Sequence, residues 1–184
     1  MRNRFIMGVG VALALATSAP TAAKAQNITA GQWYTFCFGA TNSFATSGSS
    51  CVLGTNPTSV AAPAPPWTYI GAGSITVLDG FYSGDRFQVF DGASLGLTSA
   101  PINGADCSND ITACLSNSNV SKGTFAFGEG SHSFTIQLSA SPFNQGAAFF
   151  KVTAATTTVP EPESIALVAA GLFGVAVAAR RKKA

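Results

Sequence analysis

Residues 131–138 read SHSFTIQL, and this stretch decides the fold class. Every second position, from His132 through Phe134 and Ile136 to Leu138, carries a ring or an aliphatic side chain, whereas serine, threonine and glutamine fill the positions between them. An alternation with a period of two is typical of a β-strand that buries one of its faces. The stretch therefore predicts a strand whose inward face joins a hydrophobic core.

The same alternation recurs along the chain on both sides of this stretch. It predicts further strands at 32–38, 74–78, 86–90, 95–98, 124–127 and 148–152. Asp79-Gly80 and Asp91-Gly92 are strong turn dipeptides, and residues 128–130, Gly-Glu-Gly, predict a hairpin between the two strands that flank them. Because no convincing helical period appears in residues 26–158, we predict an all-β domain, an antiparallel β-sandwich or jelly roll.

The composition argues against two classes of protein. Of the 184 residues, 10% are charged and 47% are hydrophobic, which is not the composition of a disordered, highly charged chain. The basic residues are concentrated at the two ends, so that residues 26–158 contain Arg86, Lys122 and Lys151 against six acidic residues, a net charge of −3. A domain with this balance lacks the basic face that binds nucleic acid.

The first 25 residues are predicted to be a cleavable signal peptide. Arg2 and Arg4 precede an apolar run at 5–16, and Ala23-Lys24-Ala25 supplies the small residues that signal peptidase reads, so the mature chain is expected to start at Gln26. The alternative is a retained membrane anchor, but this run is short for a hydrocarbon core of about 30 Å.

The other end combines three features in a fixed order. Val159-Pro160-Glu161-Pro162 is an extended, proline-rich motif, and residues 165–179 form an apolar run that as a transmembrane helix would be roughly 22 Å long. The basic residues Arg180, Arg181, Lys182 and Lys183 follow at once, which predicts a cytoplasmic C-terminus and an external domain. A simple tail anchor is an alternative that composition alone leaves open.

This order of parts resembles the PEP-CTERM sorting signal of Gram-negative bacteria over about the last 25 residues. The resemblance implies recognition by an exosortase, a membrane transpeptidase that processes the tail near the motif, after export through the inner membrane and transient anchoring there. It also implies a final place in the cell envelope or outside the cell, because family members are often associated with exopolysaccharide and biofilm. The chain then divides into a signal peptide (1–25), an ectodomain (26–158) and a sorting signal (159–184).

Four cysteines, Cys37, Cys51, Cys107 and Cys114, lie in the predicted ectodomain, and export favours disulfides for them. Three pairings are open. We favour Cys37 with Cys51 and Cys107 with Cys114, because each pair is close in sequence and would staple one of two long, irregular stretches, at 39–72 and 99–123. A zinc site is the alternative, but it needs tighter spacing and usually histidine.

One stretch of the sequence matches the pattern of a catalytic motif. Residues 92–96, GASLG, match the G-x-S-x-G of α/β-hydrolases, and Asp106 or Asp110 and then His132 follow in the required order. That motif works at a sharp strand-to-helix turn over a parallel sheet, whereas Ser94 falls between two predicted strands. We therefore predict that the protein is not an enzyme, and a secreted hydrolase is the weakest alternative.

A calcium site is a candidate at Asp79, Asp85 and Asp91, which recur every six residues. Carboxylates gathered on neighbouring loops are what this hard cation binds. The preferred interpretation is ordinary turn chemistry, since Asp is common in turns. Apart from calcium, no cofactor is expected.

Carbohydrate recognition is the other candidate. Trp67 and Tyr69 follow Pro65-Pro66 and would form an exposed platform for sugar rings, and Trp33 and Tyr82 are amphipathic rings of the same kind. The alternative is that these rings pack at the edge of the core. The sequence thus predicts an exported matrix protein with a structural or adhesive role that holds exopolysaccharide, with a dedicated carbohydrate-binding module as the first alternative.

Overall fold

The structure, a computed structural model, describes residues 26–51 and 58–156. Within these two ranges the chain forms ten strands and one short helix: β1 (Gln26–Asn27), β2 (Trp33–Phe38), β3 (Ser59–Ala61), β4 (Trp67–Ile70), β5 (Gly73–Asp79), β6 (Arg86–Asp91), β7 (Ala93–Leu97), α1 (Ile111–Ser116), β8 (Lys122–Phe127), β9 (Ser131–Ala140) and β10 (Gly146–Ala154). The predicted signal peptide, the sorting motif, the apolar helix at 165–179 and the basic tail lie outside the described residues.

The strands form two five-stranded sheets. The first has the order β1-β4-β9-β6-β7 and the second the order β3-β2-β10-β5-β8. Neighbouring strands are antiparallel except for β1 with β4 and β2 with β3, where short edge strands pair in parallel. The prediction of an all-β fold is confirmed, the prediction of purely antiparallel sheets is wrong at these two edges, and jelly-roll connectivity stays a prediction.

The two sheets share one aromatic core. Phe36 and Phe150 of the second sheet are fully buried, as are Trp67 and Phe87 of the first. The ring centroids of Phe36 and Phe87 are 5.5 Å apart, and those of Trp67 and Phe150 are 4.4 Å apart. Rings at these distances are in direct contact, so the sheets pack face to face through their inward side chains.

One of two predicted turns connects the strands expected of it, and the other does not. Asp91-Gly92 closes the tight hairpin between β6 and β7, in which Asp91 is the partner of Ala93. Residues 128–130, in contrast, join β8 of the second sheet to β9 of the first, so the predicted hairpin there is wrong. The same residues can reverse a chain or carry it across a core, and here β8 pairs with β5 instead.

The long stretches predicted to be irregular contain short elements. Residues 39–72 hold β3 and β4, and residues 99–123 hold α1. The helix begins after Asp110, whose carboxylate accepts hydrogen bonds from the backbone N–H groups of Thr112 and Ala113. It packs on the outer face of the second sheet in a small cluster of buried side chains, which consists of Leu78, Cys107, Ile111, Cys114, Val120 and Phe149.

The described ranges contain no helix with the length and apolar character needed to cross a membrane. The helix α1 has six residues and is capped at its start by an acidic side chain.

Three chain segments gather at one end of the second sheet. The strand β10 begins at Gly146, and its first residues lie between the ends of β2 and β5, with Gly146 opposite Phe38 and Ala148 opposite Asp79. The segments that follow β2 and β5 and the segment that precedes β10 therefore meet there. This end of the molecule carries the candidate site.

Candidate ligand-binding site

A hollow of about 580 Å³ opens between the segment that follows β5 and the segment that precedes β10. Two aromatic side chains are strongly exposed there, Tyr82 at 58% and Phe143 at 41%. The hollow is lined by Gly80, Phe81, Tyr82, Asp85, Phe143, Asn144, Gln145, Gly146 and Ala147. Its volume lies in the range of about 300–1,000 Å³ that is typical of small-molecule sites.

Asp79 organises the segment that forms one wall of this hollow. It is the last residue of β5, on the inward face that also carries Ile75 and Val77, and it is fully buried. Its carboxylate accepts hydrogen bonds from the backbone N–H groups of Gly80 (2.9 Å), Gly84 (3.2 Å) and Asp85 (3.1 Å). Residues 80–85 are thus folded around one buried side chain.

Asp85 stands beside this group and lines the hollow. It is 3% exposed, and its Oδ1 atom is buried without a hydrogen-bond partner among the described residues. Burial raises the pKa of Asp85 to about 6, against a hydrogen bond from Ser141 that lowers it. Burial and the Asp85 carboxyl together raise the pKa of Asp79 to about 8, although its three backbone hydrogen bonds oppose the rise. The pair therefore retains a proton near neutral pH.

A second hollow of about 600 Å³ lies on the other side of residues 144–146, the segment that precedes and begins β10. It is lined by Cys37, Phe38, Gly39, Thr46, Ser50, Cys51, Asn144, Gln145 and Gly146. Residues 144–146 belong to both hollows, and the side chains of Asn144 and Gln145 are exposed between them. Amide groups of this kind can donate and accept hydrogen bonds.

The cysteines are paired as predicted. Cys37 and Cys51 lie with their Cα atoms 5.7 Å apart, and Cys107 and Cys114 with theirs 5.0 Å apart, which are disulfide distances. The described residues contain no free cysteine. The first disulfide borders the second hollow, whereas the second disulfide ties α1 to the chain before it.

The candidate three-carboxylate calcium site, to which turn chemistry was preferred, is not formed among the described residues. Asp85 precedes β6 and Asp91 ends it, and six residues of strand separate their backbones by about 20 Å. The Oδ2 atom of Asp91 lies 2.6 Å from Nδ1 of His132, and its Oδ1 atom accepts a hydrogen bond from the backbone of Ser133 at 2.9 Å. In the part of the chain that the structure describes, no three His, Cys, Asp or Glu side chains are grouped to hold a metal. Only Asp79 and Asp85 come together.

The ion pair of Asp91 and His132 is a structural contact at the opposite end of β6. Burial acts to raise the pKa of Asp91, but the hydrogen bonds from His132 and Ser133 and the charge of His132 hold this pKa below its ordinary value. Nε2 of His132 lies 2.9 Å from the backbone oxygen of Gly128. The ring therefore ties the start of β9 to β6 and to the 128–130 turn.

The hydrolase motif does not form a nucleophile elbow. Ser94 lies inside β7, in an antiparallel hairpin, and its hydroxyl accepts a hydrogen bond from the side chain of Gln88. Both ring nitrogens of His132 are engaged with Asp91 and with a backbone carbonyl. Of the acidic candidates, Asp110 caps α1, and Asp106 accepts a hydrogen bond from the backbone of Ser108.

The predicted glycan platform at Trp67 is wrong. Trp67 is fully buried, its Nε1 donates a hydrogen bond to the backbone oxygen of Pro63 at 2.9 Å, and its ring packs against Phe150. The reason is that β4 directs Trp67 into the core between the two sheets. Tyr69 is half-buried and sets its ring edge-on to Phe127, with the centroids 5.7 Å apart. Tyr82 is the candidate ring that the fold leaves exposed.

Sequence reasoning did not identify Phe143, Asn144 and Gln145. They lie in the short segment between β9 and β10, outside the pattern of either strand. An aromatic residue in a short polar turn was the available signal, because a turn offers little apolar surface to cover it.

Comparison with known proteins adds one finding about the end of the chain. A family model described as the PEP-CTERM protein-sorting motif matches residues 158–182. The chain carries a PEP-CTERM sorting motif. The match includes Val159-Pro160-Glu161-Pro162, the apolar run and most of the basic tail, and it confirms the resemblance. No curated protein and no solved structure matches the chain.

The PEP-CTERM motif implies the route that the protein follows. A protein with this signal is exported and processed by an exosortase, and its place is at the cell surface or outside the cell. The two disulfides are consistent with that oxidising surrounding.

Proposed function

We propose that this protein is a non-catalytic adhesive component of the extracellular matrix that binds exopolysaccharide through the hollow beside Tyr82. The observation that carries the proposal is the composition of this hollow: two exposed aromatic rings, Tyr82 and Phe143, stand next to the exposed amides of Asn144 and Gln145. Aromatic faces stack on the C–H faces of sugar rings, and amides bond to hydroxyl groups.

The charge of the hollow supports a neutral glycan. Asp85 is the only charged side chain among its lining residues, and that carboxyl is buried. The rest of the lining is aromatic, aliphatic, amide or glycine, which offers no cationic group to hold an acidic polymer. The PEP-CTERM motif supports the location, because exopolysaccharide is outside the cell and the exported domain is sent there.

The absence of catalysis is part of the same proposal. It is supported by the positions of Ser94 and His132, since the serine lies within a strand and the histidine makes two structural hydrogen bonds. If hydrolysis of an ester or glycan were detected in an active preparation and were lost in both Ser94→Ala and His132→Ala, this part would be overturned.

Binding of the exported, disulfide-bonded protein to the producing organism's exopolysaccharide, and to a panel of neutral and acidic polysaccharides, tests the proposal. We expect saturable binding to a neutral polymer that falls about tenfold, or about 1.4 kcal/mol, in Tyr82→Ala. Ile70→Ala is the matched control, because Ile70 is 79% exposed and does not line the hollow. Failure to bind any polysaccharide would overturn the proposal.

The same titration with EDTA tests the calcium prediction. Of the three carboxylates first considered, only Asp79 and Asp85 remain close enough to share a cation. Calcium would be assigned to this pair if EDTA abolished binding, if added calcium restored it, and if Asp85→Asn removed this dependence on calcium. Binding that is unchanged by EDTA would leave the hollow as a metal-free site.

A further inference from the structure

Two hollows of similar size flank residues 144–146, and this arrangement bears on how much of a polysaccharide the protein binds. The first lies on the β5 side of this segment and the second on the β2 side. We infer that the ligand is an internal stretch of an extended polysaccharide that crosses residues 144–146 and occupies both hollows, and not a single terminal sugar. This inference rests on the proposed function.

The strand register fixes the spacing of the two hollows. Because β10 pairs with β2 on one side and with β5 on the other, the ends of β2 and β5 are two strand spacings apart, about 10 Å. Phe38, at the end of β2, lines the second hollow, and Gly80, directly after β5, lines the first. A ligand that contacts both must therefore be longer than one sugar ring.

The chemistry of the crossing point suits a neutral chain. Asn144 and Gln145 are exposed and line both hollows, so their amides can bond to a ligand that passes over them. The second hollow adds the hydroxyl groups of Thr46 and Ser50, both on exposed residues, and contains no charged side chain in its lining. Aromatic stacking is thus concentrated in the first hollow and neutral hydrogen bonding in the second.

The second hollow is also covalently braced. The disulfide of Cys37 and Cys51 forms part of its lining, and the backbones of Cys37 and Thr46 are joined by a pair of hydrogen bonds, of 3.3 Å and 2.7 Å. Bracing of this kind holds a binding surface in place before the ligand arrives and reduces the ordering cost of binding.

A length series tests the inference. The probes are oligosaccharides from disaccharide to octasaccharide, prepared by partial hydrolysis of the producing organism's exopolysaccharide, and the exported protein is titrated with each. We expect affinity to rise about tenfold or more between the disaccharide and the hexasaccharide and then to level off. An octasaccharide that binds no more tightly than the disaccharide would overturn the inference.

A variant that fills the second hollow tests whether this hollow is responsible for the gain in affinity with length. Ser50→Trp should fill the second hollow, so we expect it to remove the gain in affinity with oligosaccharide length. Ser116→Trp is the matched control, because Ser116 is exposed at the end of α1 and lines neither hollow. As a second measurement, Gln145→Ala should weaken the long oligosaccharides more than the disaccharide.

The failures of the two proposals are distinguishable. If the intact exopolysaccharide binds but Ser50→Trp retains the full gain with length, only the inference of a two-hollow site is overturned. If neither the polysaccharide nor any oligosaccharide binds the wild-type protein, the proposed function itself is overturned.

Discussion

At the scale of single residues, the most unusual feature of the fold is the buried pair of carboxyl groups formed by Asp79 and Asp85. Asp79 continues the inward row of Ile75 and Val77, at a position where a sheet ordinarily buries an apolar side chain. Its three backbone hydrogen bonds define the segment that carries Tyr82 into the candidate site. The cost is that two acidic groups are kept away from water next to each other, which disfavours their ionisation.

The pair predicts a stability that decreases as pH rises. The pKa values of Asp79 and Asp85 in the folded protein, about 8 and about 6, both exceed the ordinary value of 3.8. Between about pH 4 and pH 8 the folded state therefore binds more protons than the unfolded state, and the free energy of unfolding falls through this window. Urea denaturation at a series of pH values measures it, and a free energy that stays level or rises would contradict the prediction.

A single substitution assigns that pH dependence to the pair. Asp85→Asn removes one of the two charges, so we expect a shallower pH dependence and a gain of about 1–3 kcal/mol at pH 8. Asp110→Asn is the control, because Asn is as good an N-cap as Asp and should leave the slope unchanged. A wild-type slope in Asp85→Asn would show that another group is responsible.

At the scale of the element, sequence alternation was a sound guide where a strand is long and has one apolar face. The predicted strand at 131–138 lies within β9, and those at 32–38, 74–78 and 86–90 correspond to β2, β5 and β6. The sequence could not reveal β1, β3 and β4, because two to four residues are too few to establish a period of two, nor α1, because six residues make fewer than two helical turns. For the same reason the sequence left open whether Trp67 is an exposed ring or a packed one, and β4 buries it completely.

The candidate site was less predictable than the strands, for a physical reason. It is assembled from segments that follow β2 and β5 and precede β10, and only the pairing of those three strands brings the segments together. Tyr82 was identifiable as an amphipathic ring, but nothing local connects it with Phe143. Asp79 and Asp85 were correctly taken as neighbours, whereas Asp91 was separated from them by the full length of β6.

The segment after β2 crosses from one sheet to the other, and Gly48 makes the crossing sterically possible. Ala45 bonds to Ile136 of the first sheet, and Gly48 bonds to Ala62 beside the second. A Cβ atom on Gly48 would lie 2.0 Å from the backbone oxygen of Thr35, which cannot move without breaking its pairing.

Gly48→Ala is therefore expected to destabilise the protein by about 1–3 kcal/mol through overpacking. The measurement is equilibrium denaturation. Gly128→Ala serves as control, since no atom lies within 4 Å of its added Cβ, and it should be neutral. Equal stabilities of the two variants would contradict the close approach seen at Gly48.

The helix α1 and its disulfide form a small unit on the outside of the second sheet, and we expect it to open separately from the sandwich. Replacing Cys107 and Cys114 by serine removes a cross-link over a short loop, worth about 2–3 kcal/mol in the chain-entropy account. Amide exchange should then become faster around Ile111 and Val120 while β6 and β9 keep their protection. Uniform loss of protection throughout both sheets would contradict this separation.

At the scale of the whole molecule, the chain joins a two-sheet domain to a PEP-CTERM sorting motif. The described domain ends in β10, and the residues matched by the PEP-CTERM model begin four residues after that strand, at 158. The sheets and the sorting motif are therefore separate stretches of the sequence. This separation predicts that processing can be changed without changing the fold.

Processing near the PEP motif should remove the basic tail from the mature protein. We expect mass spectrometry of the surface-associated or released protein to show a C-terminus that lacks residues 180–183, because an exosortase acts on the stretch that contains Pro160 and Glu161. Substituting alanine for both residues should accumulate a precursor that retains the tail in the membrane fraction, with wild-type amide protection in β6 and β9. Glu129→Ala, which removes an acidic residue far from the motif in sequence, should leave processing intact. A wild-type mature protein that retains residues 180–183 would instead identify the C-terminal segment as a plain membrane anchor.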